Sequence, residues 1–207
     1  MGAMLTSLRN TIAAGFALAI LLDVLIRLVP GDRVGLDGAW WTLCFRWLHV
    51  MSGTMWIGLL WYFNFVQIPN MGKIPDDQKP AVTKVIAPEA LFWFRWGAMA
   101  TIVTGLILAW LNDYLLQSLT LGAVEDFAVP KNIAIGIGMW LGTIMWFNVW
   151  FVIWPNQQKA LNIANVYPDL TKEARGAAGR TAMLFSRTNT LLSIPMLFSM
   201  VSAQNLY

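Results

Sequence analysis

The apolar positions of this chain fall in long unbroken runs rather than in short amphipathic stripes. Segments free of Asp, Glu, Lys and Arg extend over Trp47–Gly72, Trp96–Asn112, Asn132–Gln158 and Thr188–Tyr207. About 20 apolar residues cross a bilayer as a helix, so each run predicts a span. The shortest becomes long enough when Leu91–Phe94 are added ahead of Arg95. A fifth segment, Thr11–Val29, carries Asp23 and Arg27, four apart on one helix face; paired, they let it insert. It is expected to be a span rather than a cleaved signal peptide, because no small-x-small cleavage site follows the apolar stretch before Pro30-Gly31-Asp32.

The pattern predicts an all-α integral membrane protein, a single domain over residues 1–207 built as a bundle of about five transmembrane helices. The spans are expected near 11–29, 40–68, 90–111, 132–154 and 181–204. Pro30-Gly31, the stretch from Pro69 to Pro80, Pro130 and Pro155 are the expected breakers between them. Residues 157–180 alternate charge with small side chains and read as a surface helix leading into the last span. No internal repeat and no low-complexity tract is visible.

Composition agrees with the pattern. With 57% hydrophobic and 12% charged residues, and a mean hydropathy of +0.57, the chain is too apolar for a water-soluble domain. The net charge of +3 does not point to nucleic acid, because basic residues in a membrane protein gather in its cytoplasmic loops. Arg9, Lys73, Lys79, Lys84, Lys159, Lys172, Arg175 and Arg180 would lie on one side, against Arg33 and Lys131 on the other. That asymmetry predicts a multi-pass membrane protein with its N-terminus cytoplasmic. Trp40, Trp41, Trp61, Trp93, Trp96, Trp150 and Trp154 sit near span ends and suit interfacial belts. Cys44 is alone, which excludes an intrachain disulfide and a covalent c-type haem, and it is expected to pack as a small apolar side chain.

One residue stands out chemically. His49 is the only histidine, and it lies inside the second apolar run. An imidazole in hydrocarbon is costly unless hydrogen-bonded or ligated, so it marks a candidate site. Arg46, His49, Gly53 and Trp56 are three, four and three residues apart and share one helix face. This face suits a haem b, or alternatively a (bacterio)chlorophyll: the imidazole to the metal, Gly53 to make room for the ring, Arg46 to pair with a propionate. The plainer alternative is a cofactor-free histidine hydrogen-bonded to a neighbouring helix. A second axial ligand would come from Met99, Met139 or Met196, from another subunit, or from none. Ridges at Gly97, Thr101 and Gly105 and at Ala134, Gly138 and Gly142 predict close helix packing or a flat cofactor lying against glycine.

A polar set collects at the opposite ends of the spans. Asn64, Gln67, Arg95, Asn148, Arg187 and Asn189 would form a cationic, hydrogen-bonding pocket if they face one another. Arg95, Asn148, Arg187 and Asn189 are therefore the candidate substrate-binding residues, for a planar anion or a quinone head group. Snorkelling of the arginines to the headgroups is the alternative. No Ser-His-Asp set, zinc motif or phosphate loop is present.

Three stretches resemble the membrane-embedded N-terminal domain of the cytochrome c-linked bacterial urate oxidase (urate hydroxylase) family: Arg46-Trp47-Leu48-His49 through Trp56-Ile57-Gly58, Asn148 through Gln157, and Ser186-Arg187-Thr188-Asn189 through Phe198. The resemblance implies a membrane redox protein that oxidises a purine and passes electrons towards a cytochrome c. This sequence has no Cys-x-x-Cys-His, so a separate cytochrome c or other redox subunit is the expected partner, within the lipid bilayer. Two further readings differ in class. One is a non-catalytic accessory subunit of a larger respiratory or photosynthetic complex, associated with other membrane subunits or with copies of itself. The other is a small-molecule transporter, made weaker by the lack of paired halves.

Overall fold

The computed structural model describes residues 5–28 and 35–207, so the expected span end at Val29, the Pro30-Gly31 break and Arg33 lie outside the described residues. Every regular element among those described is helical. The chain divides into two compact units, Met1–Trp41 and Thr42–Tyr207.

In the first unit, α1 (Leu8–Arg27) starts where the Ser7 side chain accepts a hydrogen bond from the Asn10 amide. Asp23 and Arg27 pair at 2.8 Å, which neutralises both within an otherwise apolar helix. None of its side chains is buried.

The second unit is built on antiparallel helices. α2 (Gly38–Trp61) enters it and carries His49. α3 (Ala87–Leu111) returns, and α5 (Pro130–Phe147) and α7 (Lys172–Asn205) follow after two short helices, α4 (Leu115–Leu119) and α6 (Trp154–Leu161). The core is a single cluster including Trp56, Leu60, Phe63, Phe94, Met145 and Val149. Leu8–Arg27, Ala81–Leu111 and Pro130–Leu161 are each long and apolar enough to cross a membrane. The stretches expected at 40–68 and 181–204 also form long helices, but their polar residues keep them less apolar. In α7 the polar side chains of Ser186, Asn189, Ser193, Ser199 and Ser202 turn inward and are buried.

Prolines shape one end of this unit. Pro155 does not close a helix as expected, whereas beyond Pro69 the α-helix ends at Asn70, within the expected break. The chain widens into π-helical turns at Tyr62–Gln67, Ala81–Ile86 and Asn148–Ile153, and helix resumes through Pro69, Pro88 and Pro155. Each proline lies two residues beyond its π turn. A proline inside a helix lacks an N–H and its ring collides with the carbonyl four residues earlier; a wider turn relieves both. Pro130 behaves as expected and opens α5 at a first-turn position.

The surface helix expected across 157–180 is interrupted. α6 stops at Asn162 (φ 47°), a residue type that tolerates the left-handed region, and α7 begins only at Lys172 with Thr171 as its cap. Arg175 ties the intervening loop down by donating to the carbonyls of Tyr167 and Leu170. Residues 112–129, which show no apolar period, fold as a cap on α5. Trp140 donates to the Leu119 carbonyl, Asn132 donates to Glu125, and Gly136 lets the Ser118 backbone approach closely.

Candidate functional site

Between α2, α3, α5 and α7 lies a cleft of about 660 Å³, within the roughly 300–1,000 Å³ usual for small-molecule and cofactor sites. His49, Arg46, Gly53 and Trp56 all line it, so the face expected from spacing is assembled on one wall.

The imidazole is fixed by α3. Its Nδ1 lies 3.0 Å from the carbonyl oxygen of Thr101 and 3.3 Å from the Thr104 hydroxyl. A carbonyl only accepts, so Nδ1 carries the proton and donates, which leaves Nε2 with a free lone pair. No hydrogen bond to Nε2 is found among the described residues. The ring packs against Gly105, where a Cβ would meet its Cε1 at 2.9 Å. Gly97 performs a similar service nearer the middle: a Cβ there would sit 3.4 Å from the Trp56 amide nitrogen. The ridge Gly97, Thr101, Gly105 is thus the surface that seats α2.

The other ridge has a divided role. Gly138 is covered by Met200, whose Sδ would lie 3.1 Å from an added Cβ, whereas a Cβ at Gly142 would meet nothing within 4 Å. Gly58, across the cleft, is equally open. Gly58 on α2 and Gly142 on α5 thus leave uncovered backbone on two walls of the cleft. Among the candidate second ligands, Met139 and Met196 line the cleft and Met99 does not, while Met200 joins them. Trp56 is 1% exposed and its Nε1 has no hydrogen-bond partner, an orphan donor in the wall. Exposed Arg46 and half-buried Tyr114 mark the rim, with Gln204 and Asn205. Burial raises the Tyr114 phenol above its ordinary range, opposed by the nearby positive charge of Arg46.

Among the described residues no group of three His, Cys, Asp or Glu comes together, so a bare ion has no protein cage. A porphyrin brings four ligands of its own and asks the protein only for one or two side-chain donors, a chemistry that an imidazole and thioethers lining the cleft could supply, so the residues present are compatible with a haem.

The second set of candidates is dispersed. Asn148 and Asn189 are buried against each other: Asn148 donates to the Asn189 side-chain oxygen at 2.8 Å, and Asn189 donates to the Met145 carbonyl at 2.9 Å. Their polar groups fasten α5 to α7. Arg187 is exposed on α7. Arg95 stacks on Trp154, 3.7 Å from the ring centre, with Trp150 at 5.2 Å, so these tryptophans hold a cation as well as suiting an interface. Its Nε and Nη1 are buried and lack partners. Asn64 is buried and donates to the Leu60 carbonyl and to Ser186. Gln67 instead lines a second, smaller hollow of about 270 Å³ at the proline end, which none of Arg95, Asn148, Arg187 and Asn189 lines.

The anchoring by Thr101 was invisible in the pattern, since a backbone carbonyl belongs to every residue; Thr101 and Gly105 being four apart was the available trace.

Fold and site together describe a chain that is helical in every regular element among the described residues, with three helices long and apolar enough to cross a membrane and a histidine-lined cleft. Residues 124–206 match the family model described as urate oxidase N-terminal, which relates that part of the chain to the family. The match takes in α5, α6 and α7, with the Asn148–Asn189 pair, Met139 and Met196; His49 and Arg95 lie before it. No curated protein and no solved structure matches the chain.

Proposed function

We propose that the protein is a membrane redox protein that binds a b-type haem at His49 and passes electrons to a separate cytochrome. The observation that carries the reading is the imidazole itself: Nδ1 held by the Thr101 carbonyl, Nε2 unbonded, and a 660 Å³ cleft with glycine walls beside it. Ligating histidines characteristically donate their other ring N–H to such a carbonyl, which fixes the ring and raises its basicity. The relation to the urate oxidase N-terminal family over 124–206 supports a redox role of that type.

When bound, the haem supplies reversible one-electron chemistry at its iron. The chain's own residues bind and tune. His49 would hold the group through Nε2, with Thr101 and Thr104 fixing the ring and Gly58 and Gly142 leaving space beside it. Arg46 at the rim would pair with an acidic substituent, and Met139, Met196 or Met200 would be the further residues able to hold the iron. Of the four substrate candidates, Arg95 keeps unused N–H donors and is the one we assign to an anionic substrate. The helices Leu8–Arg27, Ala81–Leu111 and Pro130–Leu161 are long and apolar enough to cross a bilayer, and we read α2 and α7 as two further spans of a bacterial inner-membrane bundle with a cytoplasmic N-terminus.

The test is haem content by pyridine haemochrome on protein purified from haem-replete cells. Equimolar haem in the wild type, and its loss in a His49→Ala variant of unchanged helicity, is expected. Haem-free wild type contradicts the proposal and returns the chain to the accessory-subunit reading.

A further inference from the structure

We propose that the smaller hollow at the proline end is a binding site for the head group of a neutral quinone or hydroquinone, independent of any haem at His49. All three π-helical turns converge on it. Phe63 and Gln67 come from the first, Thr83 from the second and Ile153 from the third, with Ser186 of α7 closing the wall. Such turns are rare and recur at functional sites. Here three prolines at matching offsets place them around one space of about 270 Å³, close to the lower end, roughly 300 Å³, of ordinary ligand pockets. That size admits a single substituted ring.

Charge selects the class of ligand. No Asp, Glu, Lys or Arg lines the hollow, so a buried anion or cation would find no counter-charge. Lys84, nearby in sequence, is committed to the Leu161 carbonyl. A neutral molecule is therefore favoured, and the edge-on pair Phe63 and Phe94, with centroids 5.7 Å apart, offers it an aromatic wall.

Hydrogen bonding then selects the head group. The buried Oε1 of Gln67 has no partner, nor has the buried Oδ1 of Asn64. Asn64 is fixed in orientation, because its Nδ2 donates to the Leu60 carbonyl at 2.9 Å and to Ser186 Oγ at 2.8 Å. Ser186 accepts that bond and keeps its own proton to donate. A ligand that is purely hydrocarbon would leave the oxygen of Gln67, which lines the hollow, unmet. A hydroquinone hydroxyl satisfies a carboxamide oxygen, and a quinone carbonyl accepts from Ser186 or from the same carboxamide turned over. Val66, Val85 and Ile86, exposed and apolar beside Gln67 and Thr83, supply a path for a lipid-dissolved ring.

The experiment uses the purified full chain in lipid nanodiscs and an arylazido-benzoquinone photolabel, with tetramethylbenzoquinone as competitor. Saturable labelling of peptides between residues 63 and 91 or 153 and 186 is expected, displaced by the competitor and not by hexamethylbenzene or benzoate. Gln67→Leu should weaken the competitor roughly tenfold, the worth of one well-placed buried hydrogen bond; Ser186→Ala serves in its place if the first variant is unstable. His49→Ala should label like the wild type whether or not haem is bound, so this proposal and the haem proposal fail separately. Unsaturable labelling, equal displacement by hexamethylbenzene, or labelling confined to peptides around His49 would overturn it.

Discussion

The Nδ1 of His49 lies 3.0 Å from the backbone carbonyl of Thr101, across the contact between two helices. The partner being main chain rather than side chain matters. No substitution at Thr101 removes that acceptor, and its position follows the helix as a whole. The imidazole is thus oriented by packing, and its second nitrogen has no hydrogen-bond partner among the described residues.

Gly105 is the first place to test that orientation. An alanine there sets a Cβ 2.9 Å from His49 Cε1, so the ring or α3 must move. Overpacking of this kind costs about 1–3 kcal/mol, partly offset by the better helix propensity of alanine. Gly105→Ala is expected to lower haem retention while leaving most of the protein folded. Gly142→Ala, whose Cβ meets nothing within 4 Å, is expected to leave thermal stability unchanged. Haem content and detergent thermal melts of the two variants compare these outcomes.

Asn148 and Asn189 are expected to behave as a structural pair. Asn189→Ala leaves the buried Asn148 amide without an acceptor, a loss of about 1–3 kcal/mol. The double variant should lose less than the sum of the singles, because the two groups share one bond. Additive losses in an unfolding titration would contradict the pairing.

Arg95 separates packing from recognition. Trp154→Leu removes the ring beneath a charged group, with an expected cost of about 1–2 kcal/mol. Arg95→Met removes the charge as well and should cost less stability than Trp154→Leu. An anion-binding role adds a second signature: Arg95→Met should raise KM for an anionic substrate while Trp154→Leu acts mainly on stability.

Gly136 is held by the cap on α5. A Cβ there would lie 2.2 Å from the Ser118 carbonyl oxygen, a backbone atom with nowhere to go. Gly136→Ala is expected to destabilise by several kcal/mol, beyond the usual range of about 1–3 kcal/mol for overpacking, and to cut membrane accumulation sharply. Normal accumulation on an immunoblot would show that the cap is not docked as described.

How far residue order alone reached can be judged from particular positions. The face Arg46, His49, Gly53 and Trp56 was readable because helical spacing of three and four places side chains on one side, and all four line the cleft. The Asp23–Arg27 pair followed from the same rule. Pro155 misled, since the helix widens ahead of it and runs on to Leu161 rather than stopping. Arg187 sits only two residues before the fully buried Asn189, yet is exposed. Neighbouring helix positions point about 100° apart, and polarity alone does not say which of them faces inward. The cap at 112–129 carries no period at all; contacts with α5 define it.

The most direct measurement is the reduced-minus-oxidised absorption spectrum of the purified wild type beside His49→Ala. The account predicts a Soret shift with sharp α and β bands in the wild type and their disappearance in the variant. A flat difference spectrum in the wild type, or bands that survive unchanged without His49, would contradict it.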